Sequence, residues 1–258
     1  MSAKTPAEQA LMFFLTGLTN FCGIPALYMI YKKKLYFQLH IGIFTMITSF
    51  MYHSMESLDV QKFYLTVGGW HKLDNIGSIM CFIILMVYYM DNLQLNEHGE
   101  YTSPPSSNND LHLNMLGLFI VLLMQTNHPW HLENTVVPIL IFVGLCVIKN
   151  LLVRKARFNS YYLKIGGFMQ VIAVVFFVRG LDETTDYLRM HHAMWHCFSC
   201  IASFYLWQAI DKDKEDKSIK IVSFSRQQRY NLLTELKEVM QVFNPLSLLR
   251  YSIKSLKS

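Results

Sequence analysis

The chain has 258 residues, of which 52% are hydrophobic and only 16% charged, with a formal net charge of +5. A soluble domain carries about 25% charged residues, so this composition speaks against an ordinary soluble domain. Long apolar runs separated by short polar clusters predict a polytopic, all-α membrane protein. The basic residues gather in loops and tail and form no nucleic-acid-binding stripe. Cys22, Cys81, Cys146, Cys197 and Cys200 all fall inside apolar segments, which argues against an extracellular disulfide framework.

The N-terminal "MSAKTPAEQ" has no basic region ahead of a short apolar stretch and is not Arg-rich. The first span is therefore expected to act as its own uncleaved signal. Seven spans follow, at about residues 9–31, 35–55, 74–93, 111–127, 135–152, 161–179 and 190–210. A Pro/Ser/Asn-rich loop, "NEHGEYTSPPSSNND", separates the third from the fourth. Lys32, Lys33 and Lys34 follow span one, Arg154, Lys155 and Arg157 follow span five, and Lys212, Lys214, Lys217 and Lys220 follow span seven. With seven spans these lie on one side, and the positive-inside rule makes that side cytoplasmic. The expected fold is a seven-transmembrane helix bundle, N-out and C-in, over residues 1–210. Residues 211–258 form a cytoplasmic tail that is first charged and then amphipathic: Leu232, Leu233, Leu236, Val239, Met240 and Phe243 recur at helical spacing before Pro245. That face suits either an anionic lipid surface or a protein partner.

Span seven opens with "MHHAMWHCFSC". Ionisable groups inside a bilayer are functional suspects, since each costs about 2.5–3.5 kcal/mol on insertion scales. His192 and His196 are four residues apart, so on a helix they share a face and sit about 6 Å apart along the axis. Two such histidines are a ready pair of metal ligands, and a catalytic zinc needs a third. Span two carries Ser49 and His53, again four apart, near its non-cytoplasmic end. Asp74 opens span three at that same end. The topology brings His53, Asp74, His192 and His196 to one depth.

S-x-x-x-H in span two, an Asp at the start of span three and H-x-x-x-H in span seven resemble the CREST superfamily of seven-span hydrolases. That group includes alkaline ceramidases and adiponectin/progestin-type receptors. "DNIGS" at 74–78 and "HAMWH" at 192–196 are most similar to its myomaker branch, which also holds a GPI-anchor-cleaving phospholipase. The resemblance spans about residues 10–210. It implies Zn2+ on His53, His192 and His196, with Asp74 holding and activating a water at the metal and Ser49 as a supporting group. It implies a lipid as substrate or ligand. The sequence shows no counterpart of the extended extracellular region of the lipase-type members, and a long charged tail stands where the muscle fusion protein has a short Cys-rich end.

Other residues have plainer readings. His191 is one position off the His192–His196 face and reads as interfacial. His71 lies three residues before Asp74 and reads as its neighbour or as a loop residue. In "NHPWH" at 127–131, Trp130 reads as an interfacial anchor beside His128 and His131. Cys197 and Cys200 read as core residues. Gly166 and Gly167 predict close helix packing. Asp182, Glu183 and Asp186 read as a solvated loop with Arg189 near enough to offset part of its charge.

The expected function is zinc-dependent hydrolysis of a lipid ester or amide by an integral multi-pass protein of the plasma membrane or an endomembrane, organelle membranes included. The alternatives are a membrane-remodelling or fusion factor, a catalytically silent subunit of a larger complex contacting its partner through the tail, and a ligand-sensing receptor.

Overall fold

The computed structural model describes residues 4–59, 64–90, 94–95, 101–102, 108–127, 131–153, 158–182 and 184–210. The basic loop at 154–157, residues 128–130, Glu183 and the whole tail from 211 lie outside the described residues. So do the tail residues expected at helical spacing and most of the Pro/Ser/Asn loop.

The described chain is helical apart from a two-residue antiparallel pair, β1 (Gln94–Leu95) with β2 (Tyr101–Thr102). α1 (Pro6–Met12) starts on a capping box: Thr5 Oγ1 accepts from the Glu8 amide, and the Glu8 carboxylate accepts from the Thr5 amide at 2.7 Å. Pro6 takes the first-turn position, where its missing N–H is harmless. The helix then runs through a π-helical turn (Phe13–Gly17) and a 3-10 turn (Leu18–Gly23) into α2 (Ile24–Lys32). α3 (Tyr36–Leu58), α4 (Val67–Tyr89), α5 (Asn108–Asn127), α6 (Glu133–Ile148), α7 (Ser160–Gly180) and α8 (Met190–Leu206) follow.

Four described stretches are long and apolar enough to cross a membrane: 6–32, 67–89, 133–152 and 160–180. The helix over 110–126 is apolar but shorter. α3 is diluted by Thr, Ser, His and Glu, and α8 has 17 residues. These two helices carry the three histidines. α4 is the hub of the packing, with Ile79, Met80, Ile83, Ile84 and Val87 almost wholly buried. α5, α6 and α7 turn Phe119, Leu123, Leu140, Phe168, Val171 and Val178 outward. An apolar exterior around an interior holding Thr16, Ser49, His53, Asp74 and His196 reverses the soluble pattern.

Small residues set the helix spacings. A Cβ on Gly77 of α4 would stand 3.0 Å from Thr45 Cα, so α3 and α4 approach backbone to backbone there. On Gly180 it would meet the His192 amide nitrogen at 3.1 Å and Cα at 3.3 Å, which seats the end of α7 against the start of α8. Gly166 lies against Leu206, as expected of close packing, whereas Gly167 faces open space. The opposite end of the bundle is tied by Tyr89 Oη donating to the Leu206 carbonyl at 2.7 Å and the Asn159 amide to the Ala209 carbonyl at 2.7 Å.

Span three begins at Val67, not at 74. Thr66 caps it, its hydroxyl accepting from the Gly69 amide at 3.1 Å. The polar run "HKLDN" that reads as a boundary is held inside the helix by α3, and Asp74 lies two turns in. Similarly α3 continues to Leu58, past the expected end at 55.

Candidate metal centre

His53, His192 and His196 converge. One ring nitrogen from each lies within 4.8 Å of the others, and the three ring centroids are 4.7, 4.8 and 4.9 Å apart. His53 Nε2 and His192 Nε2 are 3.1 Å apart. Nitrogens around a tetrahedral zinc at about 2.0–2.1 Å stand roughly 3.3 Å from one another. His53 and His196 are buried, at 1% and 8% exposure.

The far sides of the rings show which nitrogens carry protons. His53 Nδ1 is 3.2 Å from Glu56 Oε2. A carboxylate only accepts, so Nδ1 carries the hydrogen, and in the neutral ring Nε2 keeps its lone pair. His196 Nδ1 is 3.3 Å from Thr19 Oγ1. The single hydroxyl hydrogen of Thr19 goes to the Leu15 carbonyl at 2.6 Å, so Thr19 accepts from His196, and His196 Nε2 likewise keeps its lone pair. Two of the three rings are thus in the tautomer that ligates through Nε2, each held by a partner on its other nitrogen as metal-binding histidines are. The donor set fits a divalent first-row ion.

Asp74 reaches the same point from α4, its Oδ2 lying 3.9 Å from His53 Nε2. Ser78, one turn on, donates to Asp74 Oδ1 at 3.4 Å. Ser49 lies one turn before His53 on α3 and is 4% exposed. Four of the five residues singled out on three spans, His53, Asp74, His192 and His196, therefore lie together.

Several members were not anticipated. Glu56 follows His53 by three residues, a spacing that places it on the same helix face; its Oε1 accepts from Tyr52 Oη at 3.1 Å and from Arg189 Nη2 at 2.7 Å. Thr19 comes from span one, where "TGLTN" is the polar stretch that marks it. The irregular π and 3-10 turns there turn Thr16 and Thr19 inward, and Thr16 Oγ1 meets Ser57 Oγ at 3.3 Å.

The 182–189 loop differs from its solvated reading. Asp182 is exposed, and the Thr184 hydroxyl and amide hold its carboxyl below the usual range. Asp186, however, is 3% exposed. Its two oxygens accept the His191 and His192 amides, each at 3.0 Å, satisfying two of the open donors at the start of α8. Arg189 pairs with Glu56 of α3, Nη2 to Oε1 at 2.7 Å.

His191 stays out of the cluster; its Nδ1 is 3.3 Å from Asp186 Oδ1 but too poorly aligned for a hydrogen bond. His71 packs edge-on against Tyr52, with centroids 4.8 Å apart, one residue from His53. Cys200 lies against Gly23 of span one, and Cys22 Sγ is 3.8 Å from Cys197 Sγ.

A family model matches residues 8–197, three quarters of the chain, and so takes in every residue of the cluster. The chain belongs to the DUF3522 family. That family is described as a protein of unknown function. No curated protein matches the chain. This DUF3522 member combines several long apolar helices with a buried three-histidine cluster able to hold a metal ion.

Proposed function

We propose that this DUF3522 protein is a zinc-dependent intramembrane hydrolase of a lipid ester or amide, built on seven spans with its N-terminus outside or in the lumen. The observation that carries the reading is the convergence of three imidazole nitrogens with a carboxylate whose Oδ2 is 3.9 Å from His53 Nε2. When bound, a zinc ion supplies Lewis acidity at the reacting carbonyl and lowers the pKa of water. His53, His192 and His196 bind it as neutral imidazoles. Asp74 stands where a carboxylate can take a proton from a water at the site. The Ser78 hydroxyl holds that carboxylate in place, and Ser49, one turn before His53, is the supporting group that the CREST resemblance implies. A lipid enters sideways from the bilayer, because the cluster lies near one end of α3, α4 and α8.

The CREST resemblance supports the same chemistry, as ligands, carboxylate and serine are those its motifs imply. A second reading has its own observation. The 3.1 Å separation of His53 and His192 Nε2 atoms is also that of a direct hydrogen bond, with His192 donating. In that reading the histidines pin α3 to α8 in a silent subunit of a larger assembly.

The experiment is metal analysis of the purified protein together with turnover of a broad lipid ester and amide panel, for wild type and Asp74→Asn. About one zinc per chain and measurable wild-type turnover are expected. Asp74→Asn should retain zinc and lose about 10²–10⁴-fold in rate. Unchanged turnover in the metal-loaded variant would remove Asp74 as the base. A wild type that takes no zinc and turns over no lipid leaves the pinned-histidine subunit.

A further inference from the structure

Glu56 divides its two carboxylate oxygens between two tasks. Oε2 faces His53 Nδ1 at 3.2 Å, and Oε1 receives Arg189 Nη2 at 2.7 Å and Tyr52 Oη at 3.1 Å. Arg189 is anchored at its other terminal nitrogen, where Nη1 donates to the Gly180 carbonyl at 3.3 Å. Its backbone is in the left-handed region, φ 60 and ψ 29, as the residue that caps the start of α8. A non-glycine residue is held there only when its surroundings over-determine it. Both partners are well buried, with side chains 12% and 18% exposed. An acid and a guanidinium at that burial are retained only as a pair.

We infer that Glu56 is a positioning residue for the metal centre and that Arg189 holds it in that role, so that metal affinity depends on an ion pair bridging α3 to the start of α8. The inference rests on the metal reading of the histidine cluster. Glu56 keeps the His53 proton on Nδ1 and turns Nε2 toward His192 and His196. An imidazole that donates to a carboxylate is also a stronger ligand. Arg189 fixes the carboxylate, and it does so from a residue three positions before His192. The two halves of the ligand set, His53 on α3 and His192 with His196 on α8, are thereby brought into register by one bridge.

The test is zinc affinity of the full-length protein in detergent, by competition with a fluorescent chelator, alongside thermal stability of the metal-stripped form. Glu56→Gln should weaken zinc binding about 10–100-fold. Arg189→Gln should weaken it by at least about ten-fold, and Glu56→Gln with Arg189→Gln together should be no worse than Glu56→Gln alone, because Arg189 acts through Glu56. Arg189→Lys, which keeps the charge, should stay within a few-fold of wild type and covers the case in which Arg189→Gln does not fold. The exchanged pair Glu56→Arg with Arg189→Glu separates positioning from architecture. It restores an ion pair between the elements but sets a cation against His53 Nδ1. Stability of the metal-stripped protein should recover while zinc affinity stays low. If the exchange restores zinc affinity as well, or if Glu56→Gln binds zinc like wild type, Glu56 is a structural anchor and the positioning role is wrong. A wild type that binds no zinc overturns the metal reading itself, and this inference with it.

Discussion

At the residue scale the site depends on what stands behind each ligand. His53 and His196 present lone pairs because Glu56 and Thr19 accept from their far nitrogens. His192 is placed through its backbone: its amide donates to Asp186 at 3.0 Å, and Gly180 lets α7 come close enough to brace it. His192→Ala should therefore lower zinc content after dialysis well below one per chain while leaving the other two histidines in place. Retention of a full equivalent would remove His192 from the ligand set. Asp186→Ala opens two N–H groups at the start of α8, and losing a cap of this kind costs about 0.5–2 kcal/mol. Burial and the charge on the acceptor put the effect at the upper end. Denaturation of the purified variant reads it directly, and a stability equal to wild type would mean that the loop is held by other contacts.

At the element scale, the spacing of α3 and α4 decides whether Asp74 reaches the histidines. Gly77 lies one turn beyond Asp74 on "DNIGS", and a methyl group there would be 2.7 Å from Thr45 Oγ1 and 3.0 Å from Thr45 Cα. The side chain can turn away, but the backbone cannot. Gly77→Ala should cost about 1–3 kcal/mol by overpacking and should lower turnover by moving Asp74 away from His53. Gly144 in α6 is the control, since nothing lies within 4 Å of its added Cβ. Gly144→Ala should be neutral or stabilising, by up to about 1 kcal/mol of helix propensity. Equal effects at the two positions would show that close approach at Thr45 is not what holds α3 on α4. The irregular turns between α1 and α2 belong to the same scale. Their departure from α geometry turns Thr16 and Thr19 toward Ser57 and His196, a result no hydrophobic period encodes.

At the scale of the whole molecule, the cluster joins residues far apart in the chain: His53 with His192, Thr19 with His196, Glu56 with Arg189. Metal binding should then stabilise the bundle as a unit. At free zinc a hundred-fold above the dissociation constant, linkage gives about 2.7 kcal/mol. Chelation should lower the melting temperature of wild type and leave His192→Ala almost unmoved; an equal shift in both would place the chelator's effect elsewhere. The proposed orientation rests on the basic residues of the sequence after spans one, five and seven. Protease or antibody access to tags at each end should find the N-terminus outside or in the lumen and the tail in the cytoplasm. A cytoplasmic N-terminus would put the metal centre on the opposite face of the membrane.

The all-helical class with several long apolar helices was legible in the sequence, because hydrophobic runs and their polar interruptions are local properties of the chain. So were His53, His192 and His196 as candidate ligands, since i, i+4 spacing and the rarity of ionisable groups in apolar segments mark them residue by residue. The start of α4 was not, because a polar run that looks like a helix boundary stays helical when a neighbouring helix packs against it. Asp186 read as solvated for the same kind of reason: nothing in "GLDETTD" states that the turn folds back over the first amides of α8. The partnership of Glu56 with Arg189, and of Thr19 with His196, joins positions 133 and 177 residues apart. Such pairings depend on which helices are neighbours, how closely the glycines let them approach and how an irregular turn rotates its side chains, and those are decided only when the bundle closes.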